Sequence, residues 1–137
     1  MEQIILFYKY TNINDPEGLR KWQMKICSDF HLKGRVILAH EGINGTLGGN
    51  VLFIKKYIDM MQRHPLFQNI DFKDGVGSSV HFPRLSIKVR KEIVTLGKNP
   101  INFEKNKGIH KTPTEVHELL EKKPSDLLVF DTRNRCE

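Results

Sequence analysis

The spacing of hydrophobic residues in the first third of the chain predicts a strand, a helix and two further strands. Residues 3–10 (QIILFYKY) are rich in Ile, Phe and Tyr, which is typical of a strand. Leu19, Trp22, Ile26 and Phe30 then recur at intervals of three and four, which gives one apolar stripe on a helix. Asp15 and Pro16 suit the start of this helix and Gly34 its end. Residues 35–40 and 43–47 read as two strands joined by a tight link.

A second helix and a fourth strand complete the predicted domain. The helix starts at a cap on Asn50 and turns Ile54, Ile58 and Met61 inward. Residues 85–96 alternate over part of their length, with Leu85, Ile87 and Val89 on one face. The order matches a ferredoxin-like βαββαβ unit. We therefore predict an α+β fold in which helices cover one face of an antiparallel sheet and leave the other face open.

The remaining residues predict a linker and the start of a second domain. Residues 98–111 are polar and basic, as in a linker. Thr112 and Glu115 form a capping-box pattern before a short amphipathic helix, and residues 127–130 (LLVF) read as a buried parallel strand. The predicted organisation is a ferredoxin-like domain at 1–97, a basic linker at 98–111 and the incomplete opening of an α/β domain at 112–137.

Composition excludes several classes of protein. Among 137 residues there are two cysteines, Cys27 and Cys136, so a disulfide framework and a cysteine zinc site are both disfavoured. The six histidines show no metal-ligand spacing, and no metal is expected. No apolar stretch approaches the ~18 residues of a membrane span, and no signal-peptide pattern begins the chain. We expect a cytoplasmic protein without membrane partners.

The net charge of +6 is concentrated in one segment. Residues 84–111 contain eight basic and two acidic residues, so they account for the whole excess. Such a stretch suggests a polyanion, usually nucleic acid, although a solvated face with a lysine-rich linker gives the same pattern. The candidate phosphate contacts are Arg84, Lys88, Arg90, Lys91, Lys98, Lys105, Lys107 and Lys111.

Candidate chemistry elsewhere is sparse. Residues 41–49 (EGINGTLGG) lack the Walker pattern, and they suit either a tight turn or a loop that approaches a ligand. His40 and Glu41 lack a third partner for acid–base work at recognisable spacing. Residues 11–18 lack the arginine that an acylphosphatase loop needs, so that activity is not supported. Tyr8 and Tyr10 share one strand face, where they are candidates for stacking on bases.

Three strings carry a family resemblance. Residues 34–49 (GRVILAHEGINGTLGG), 89–97 (VRKEIVTLG) and 131–137 (DTRNRCE) resemble the rhodanese-domain tRNA uridine hydroxylases. The resemblance implies an acylphosphatase-like domain followed by a rhodanese domain. It also implies hydroxylation of C5 of wobble uridine 34, with molecular oxygen as co-substrate and no cofactor in this chain. The family's catalytic cysteine is expected beyond residue 137, so this chain alone is expected to be inactive. Cys136 replaces the family's usual aromatic residue.

The resemblance also implies partners. These are the anticodon region of a tRNA, held through the basic residues, and the protein's own rhodanese domain. Glu41, Asn44 and Thr46 are expected to face one of these two partners. Two other functions stay open at this point, namely a rhodanese-type sulfurtransferase and a non-catalytic module that docks a protein through its open sheet face.

Overall fold

The chain divides into two compact units in the computed structural model. The structure describes residues 1–75, 77–95, 97, 105 and 108–132. The first unit comprises Met1–Asn99 and the second Pro100–Glu137. The three segments predicted from the sequence, with boundaries after residues 97 and 111, remain a prediction.

The first unit is built on a five-stranded mixed sheet. Its elements are β1 (Glu2–Tyr10), α1 (Pro16–Asp29), β2 (Lys33–Ala39), β3 (Gly42–Asn50), α2 (Val51–Arg63), β4 (Asp71–Gly75), a 3₁₀ turn (Ser79–His81) and β5 (Leu85–Val89). The strand order is β4-β1-β3-β2-β5. Neighbouring strands are antiparallel except β2 and β5, which are parallel. The predicted ferredoxin-like βαββαβ order is confirmed by β1 to β4, with β5 added at an edge.

The fourth strand of that core is not the one predicted. It is β4, in a stretch read from the sequence as a polar loop, and it pairs with β1. The strand predicted at 85–96 ends at Val89 and lies at the opposite edge, parallel to β2. Phe72 explains the polar β4 strand, because its ring packs 5.3 Å from that of Phe7 and 6.4 Å from that of Tyr57. Side-chain packing thus outweighs the weak strand propensity of Asp and Gly.

Both predicted helix caps are confirmed. Asp15 Oδ1 accepts a hydrogen bond from Gly18 N at 2.9 Å, and Asn50 Oδ1 accepts one from Leu52 N at 2.9 Å. The predicted stop at Gly34 is wrong. Helix α1 ends at Asp29, and His31 takes the left-handed conformation with φ 53°.

Gly34 instead lies within β2, where a side chain has no room. Its φ is +134°, a conformation that L residues rarely adopt. A Cβ at this position would overlap the carbonyl oxygen of Thr46 in the neighbouring strand β3. The glycine therefore permits close pairing of β2 and β3 rather than ending α1.

The core fills the space between the two helices and one sheet face. The buried sheet residues include Ile5, Val36, Leu38, Ile43, Leu47 and Ile87, and the helices contribute Ile26, Ile54, Tyr57 and Met61. Trp22, Phe30 and Phe53 pack against this cluster while partly exposed. Gln23 is fully buried, and each polar atom of its side chain has a partner: Oε1 accepts from Tyr57 Oη at 2.8 Å and Nε2 donates to Met61 Sδ at 2.9 Å.

The second unit contains a helix with the predicted cap. Helix α3 (Pro113–Lys122) begins with a reciprocal capping box between Thr112 and Glu115. The hydrogen bond that Thr112 N donates holds the pKa of Glu115 below its usual range. The buried strand predicted at 127–130 is wrong, since Leu128, Val129 and Phe130 are 76%, 67% and 78% exposed and outside any strand. A strand forms only where another can satisfy its backbone groups.

Candidate nucleic-acid interface

The sheet face opposite the helices exposes large side chains. Alternation along β1 directs Ile5 and Phe7 into the core and Leu6, Tyr8 and Tyr10 to the other side. Tyr8 is 56% exposed, and its ring meets that of Tyr10 edge-on at 6.5 Å. The sequence prediction that the two tyrosines share one face is confirmed. We call this side of the sheet the open face.

Strand register defines two rows of side chains across the open face. Directly paired residues of neighbouring strands project from the same face. The first row, from β4 to β5, is Lys73, Leu6, Thr46, Arg35 and Ser86. The second row is Asp71, Tyr8, Asn44, Ile37 and Lys88. Residues far apart in the sequence thus form one continuous surface.

A concavity lies over β4, β1 and β3 on this face. Its volume is about 460 Å³, and Tyr8, Tyr10, Asn44, Thr46 and Lys73 are among its lining residues. Arg35 lines an adjoining depression together with Asn44 and Thr46. The two rows carry three cations and one carboxylate, so their formal charge is positive. Such a surface combines an aromatic ring, polar amide and hydroxyl groups, and cations within reach of a phosphodiester chain.

The predicted basic residues divide between the two units of the chain. Lys88 lies on the open face, Arg84 precedes β5, and Arg90 and Lys91 follow that strand; all four are exposed. Lys105 and Lys111 belong to the second unit, where Lys111 Nζ lies 3.6 Å from Glu115 Oε1. Lys98 and Lys107 lie outside the described residues. The four residues around β5 therefore line one edge of the sheet of the first unit.

Sequence reasoning missed two cations of the open face, Arg35 and Lys73. Both fall in regions that are close to neutral overall, so charge density gave no signal. The alternation of residues along β2 did contain a signal for Arg35, because Val36 and Leu38 are buried on one side of the strand and Arg35 is exposed on the other. Lys73 gave no comparable signal because β4 does not read as a strand.

Two residues of the family-like string bind the backbone after β5. Glu41 Oε1 accepts a hydrogen bond from Ile93 N at 2.7 Å, and Asn44 Nδ2 donates one to Ile93 O at 3.2 Å. Both backbone groups of Ile93 are thus held, and its side chain is only 2% exposed. Thr46 lines the concavity instead. The predicted role of Glu41, Asn44 and Thr46 toward a rhodanese domain or an anticodon loop stays a prediction.

His40 and Cys27 of the first unit have structural roles. His40 Nδ1 lies 2.8 Å from Ile13 O, and His40 O accepts from Ile13 N at 2.9 Å, so the histidine ties the β1–α1 loop to the sheet. Burial raises the pKa of the Cys27 thiol to about 12, which keeps it protonated and unreactive. Cys136 lies outside the described residues.

Two absences hold for the part of the chain that the structure describes. There, no three or more His, Cys, Asp or Glu side chains cluster as a metal site would require. In the same residues, no helix has the length and apolar character needed to cross a bilayer.

Known proteins resemble this chain in sequence and in fold. The family model described as the UPF0176 acylphosphatase like domain matches residues 2–93. Proteins named tRNA uridine(34) hydroxylase are similar over nearly the whole chain: that of Corynebacterium jeikeium is 39% identical over 98% of this chain, and that of Corynebacterium kroppenstedtii 40% identical over 100%. The chain spans 45% and 48% of their respective lengths, about half of each relative.

A solved structure supports the fold assignment. An acylphosphatase from Coxiella burnetii superposes with a TM-score of 0.51 and 16% identity, covering 64% of this chain and 93% of its own. At that identity the similarity concerns the fold alone. Because the family model covers residues 2–93, the chain belongs to the family of the UPF0176 acylphosphatase like domain.

Proposed function

We propose that this chain is the tRNA-binding part of an enzyme that hydroxylates C5 of uridine 34 in tRNA. The reaction would use molecular oxygen, and its chemistry would belong to a rhodanese domain, as the family resemblance implies. Within this proposal the chain works in the cytoplasm and binds the anticodon region. Its own residues supply binding and positioning.

The observation that carries the proposal is the similarity to relatives named tRNA uridine(34) hydroxylase. It extends over 98–100% of this chain at about 40% identity, so it includes both units. The side chains of the first unit agree with a binding role. The described cysteine is buried and protonated, and His40 is bound to a backbone oxygen. Tyr8, by contrast, is accessible, and the exposed cations Lys73 and Arg35 lie in the adjoining row.

Binding to a full-length tRNA with U34 tests the proposal. Fluorescence anisotropy at salt concentrations from about 50 mM to about 200 mM gives the dependence of affinity on salt, which counts the neutralised phosphates. We expect a steep fall in affinity with salt. The triple variant Lys88→Glu, Arg90→Glu and Lys91→Glu should lower both the affinity and the slope.

A matched control separates a local contact from total charge. The double variant Lys21→Glu and Lys55→Glu changes exposed residues of α1 and α2, the layer on the other side of the sheet. It should retain more of the affinity than a variant with two reversed charges along β5. Equal, weak binding by all proteins even at low salt would contradict the proposal and favour a protein-docking module.

The reaction itself needs a product assay. Mass spectrometry of tRNA from cells with and without the gene distinguishes an added oxygen on uridine 34 from an added sulfur. Hydroxylated uridine that disappears with the gene supports the proposal. Thiolated uridine as the lost product would favour the sulfurtransferase alternative.

A further inference from the structure

The open face of the sheet has the features of a site for unpaired RNA. Tyr8 on β1 presents an accessible ring, 56% exposed, in the row adjoining that of Lys73 and Arg35. Adjacent strands lie about 4.8 Å apart, so Lys73 and Arg35 stand about 14 Å from each other with β1 and β3 between them. Tyr8 is displaced from that row by two residues along β1, about 7 Å.

The chemistry of this face suits a nucleotide better than a protein helix. A base with its planar surface on Tyr8 would have a cation on either side for the flanking phosphates. Asn44 and Thr46 line the same concavity, where Thr46 presents a hydroxyl group, whereas the amide nitrogen of Asn44 already donates to Ile93 O. Every base has a face that stacks on an aromatic ring, whereas bases in a duplex are already stacked on each other. The arrangement therefore favours unpaired nucleotides.

The positive charge of the open face also favours RNA, which is a polyanion. The two rows contain Lys73, Arg35 and Lys88 but only one carboxylate, Asp71. Lys33 pairs with Gly48 in the next register position and is exposed on the same side. Tyr8 and Leu6 supply apolar surface among these cations, and Leu6 is 42% exposed.

We propose that the open face binds the unpaired nucleotides of an RNA loop, with one base stacked on Tyr8 and its neighbouring phosphates held by Arg35 and Lys73. This inference rests on the proposed function and goes beyond it, because it names the binding surface and the form of RNA that it accepts. It also differs from the interface predicted from charge density at β5 and the linker, with which it shares only Lys88.

The test compares two RNA probes and four variants of the full chain, one of them a control. The probes are a labelled anticodon stem-loop with U34 and a fully paired duplex of equal length. Tyr8→Ala removes the stacking surface and should weaken stem-loop binding by about 5- to 150-fold, the range for one stacked base. Tyr8→Phe retains the ring and should bind within about twofold of the wild type. Thermal melting of both variants checks that they fold.

The cations are tested through the salt dependence. The variant Arg35→Ala with Lys73→Ala should reduce the salt slope by about 1.4, because each phosphate contact with a single strand contributes about 0.7. Its loss of affinity between about 50 and 200 mM salt should then be about sevenfold smaller than that of the wild type. The control Lys21→Ala with Lys55→Ala, on the helical layer, should leave the slope nearly unchanged.

The outcomes separate this inference from the proposed function. Weakening by Tyr8→Ala with retention by Tyr8→Phe, together with the smaller slope, supports the inference. If full-length tRNA binds but neither Tyr8→Ala nor the Arg35 and Lys73 variant changes stem-loop binding, the inference is overturned while the proposed function stands. Equal affinity for the duplex would also overturn it. If the wild type binds neither tRNA nor stem-loop at about 50 mM salt, both fail.

Discussion

The contact between Glu41 and the backbone of Ile93 gives a sharp structural prediction. Substitution of Glu41 by Ala removes the carboxylate that accepts from Ile93 N at 2.7 Å. A hydrogen bond to a charged group contributes about 1.5–3 kcal/mol to stability, and the half-exposed position of Glu41 favours the lower end. Because about 1.4 kcal/mol is a factor of ten, local opening around Ile93 should become about tenfold more frequent.

Amide hydrogen exchange measures that opening directly. In Glu41→Ala the exchange of the Ile93 amide should accelerate about tenfold, whereas amides at the centre of β1 and β3 should keep their rates. Glu41→Gln retains an acceptor oxygen without the charge and should show a smaller acceleration, because neutral hydrogen bonds are roughly half as strong. Asn44→Ala, which loses only a 3.2 Å contact to Ile93 O, should also have a moderate effect.

Two results would refute this reasoning. Unchanged Ile93 exchange in Glu41→Ala would show that the carboxylate does not hold the segment after β5. Equal acceleration of the amides in β1 and β3 would show a global loss of stability instead. If Glu41 contacts RNA or another domain, its substitution should lower tRNA affinity while the Ile93 exchange rate stays the same.

Two further predictions concern packing and pH. A Cβ at Gly45 would overlap the Phe7 ring, so Gly45→Ala should lower the unfolding free energy, measured by urea titration, by about 1–3 kcal/mol. The control Gly108→Ala should leave the unfolding free energy unchanged, because no atom lies within 4 Å of the new Cβ. Equal losses of unfolding free energy in the two variants would refute this prediction. Burial lowers the pKa of His64, whose Nδ1 accepts from Leu66 N at 3.2 Å. The folded state therefore binds fewer protons than the unfolded state, and stability should fall as pH drops below about 6.5. His64→Gln should fall less steeply, and identical slopes would contradict this account.

The local sequence was sufficient to predict the elements that have their own signals. The caps at Asp15 and Asn50 are chemical signals contained within a few residues, and the stripe from Leu19 to Phe30 needs only helical spacing. Strand β4 has no such signal. It forms because β1 offers free pairing groups and Phe72 completes an aromatic cluster with Phe7 and Tyr57, which are distant in the sequence.

The candidate site could be predicted from the sequence even less well than strand β4, because it too depends on residues that are distant in the sequence. The dense basic segment predicts an interface at β5 and the linker. The rows of the open face, by contrast, form only when the strands pair in their observed register. Tyr8 was identified by alternation within one strand. Its position between Arg35 and Lys73 depends on the order β4-β1-β3-β2, which no local pattern encodes.

The central claim, that RNA lies on the open face, is tested most directly by NMR of the tyrosine rings. The chain is titrated with the unlabelled anticodon stem-loop while the ring signals of Tyr8 and Tyr57 are followed. A base stacked on Tyr8 should shift its signals upfield by ring current, whereas Tyr57, which is fully buried, should not move. Unmoved Tyr8 signals at a saturating concentration of the stem-loop would contradict the account.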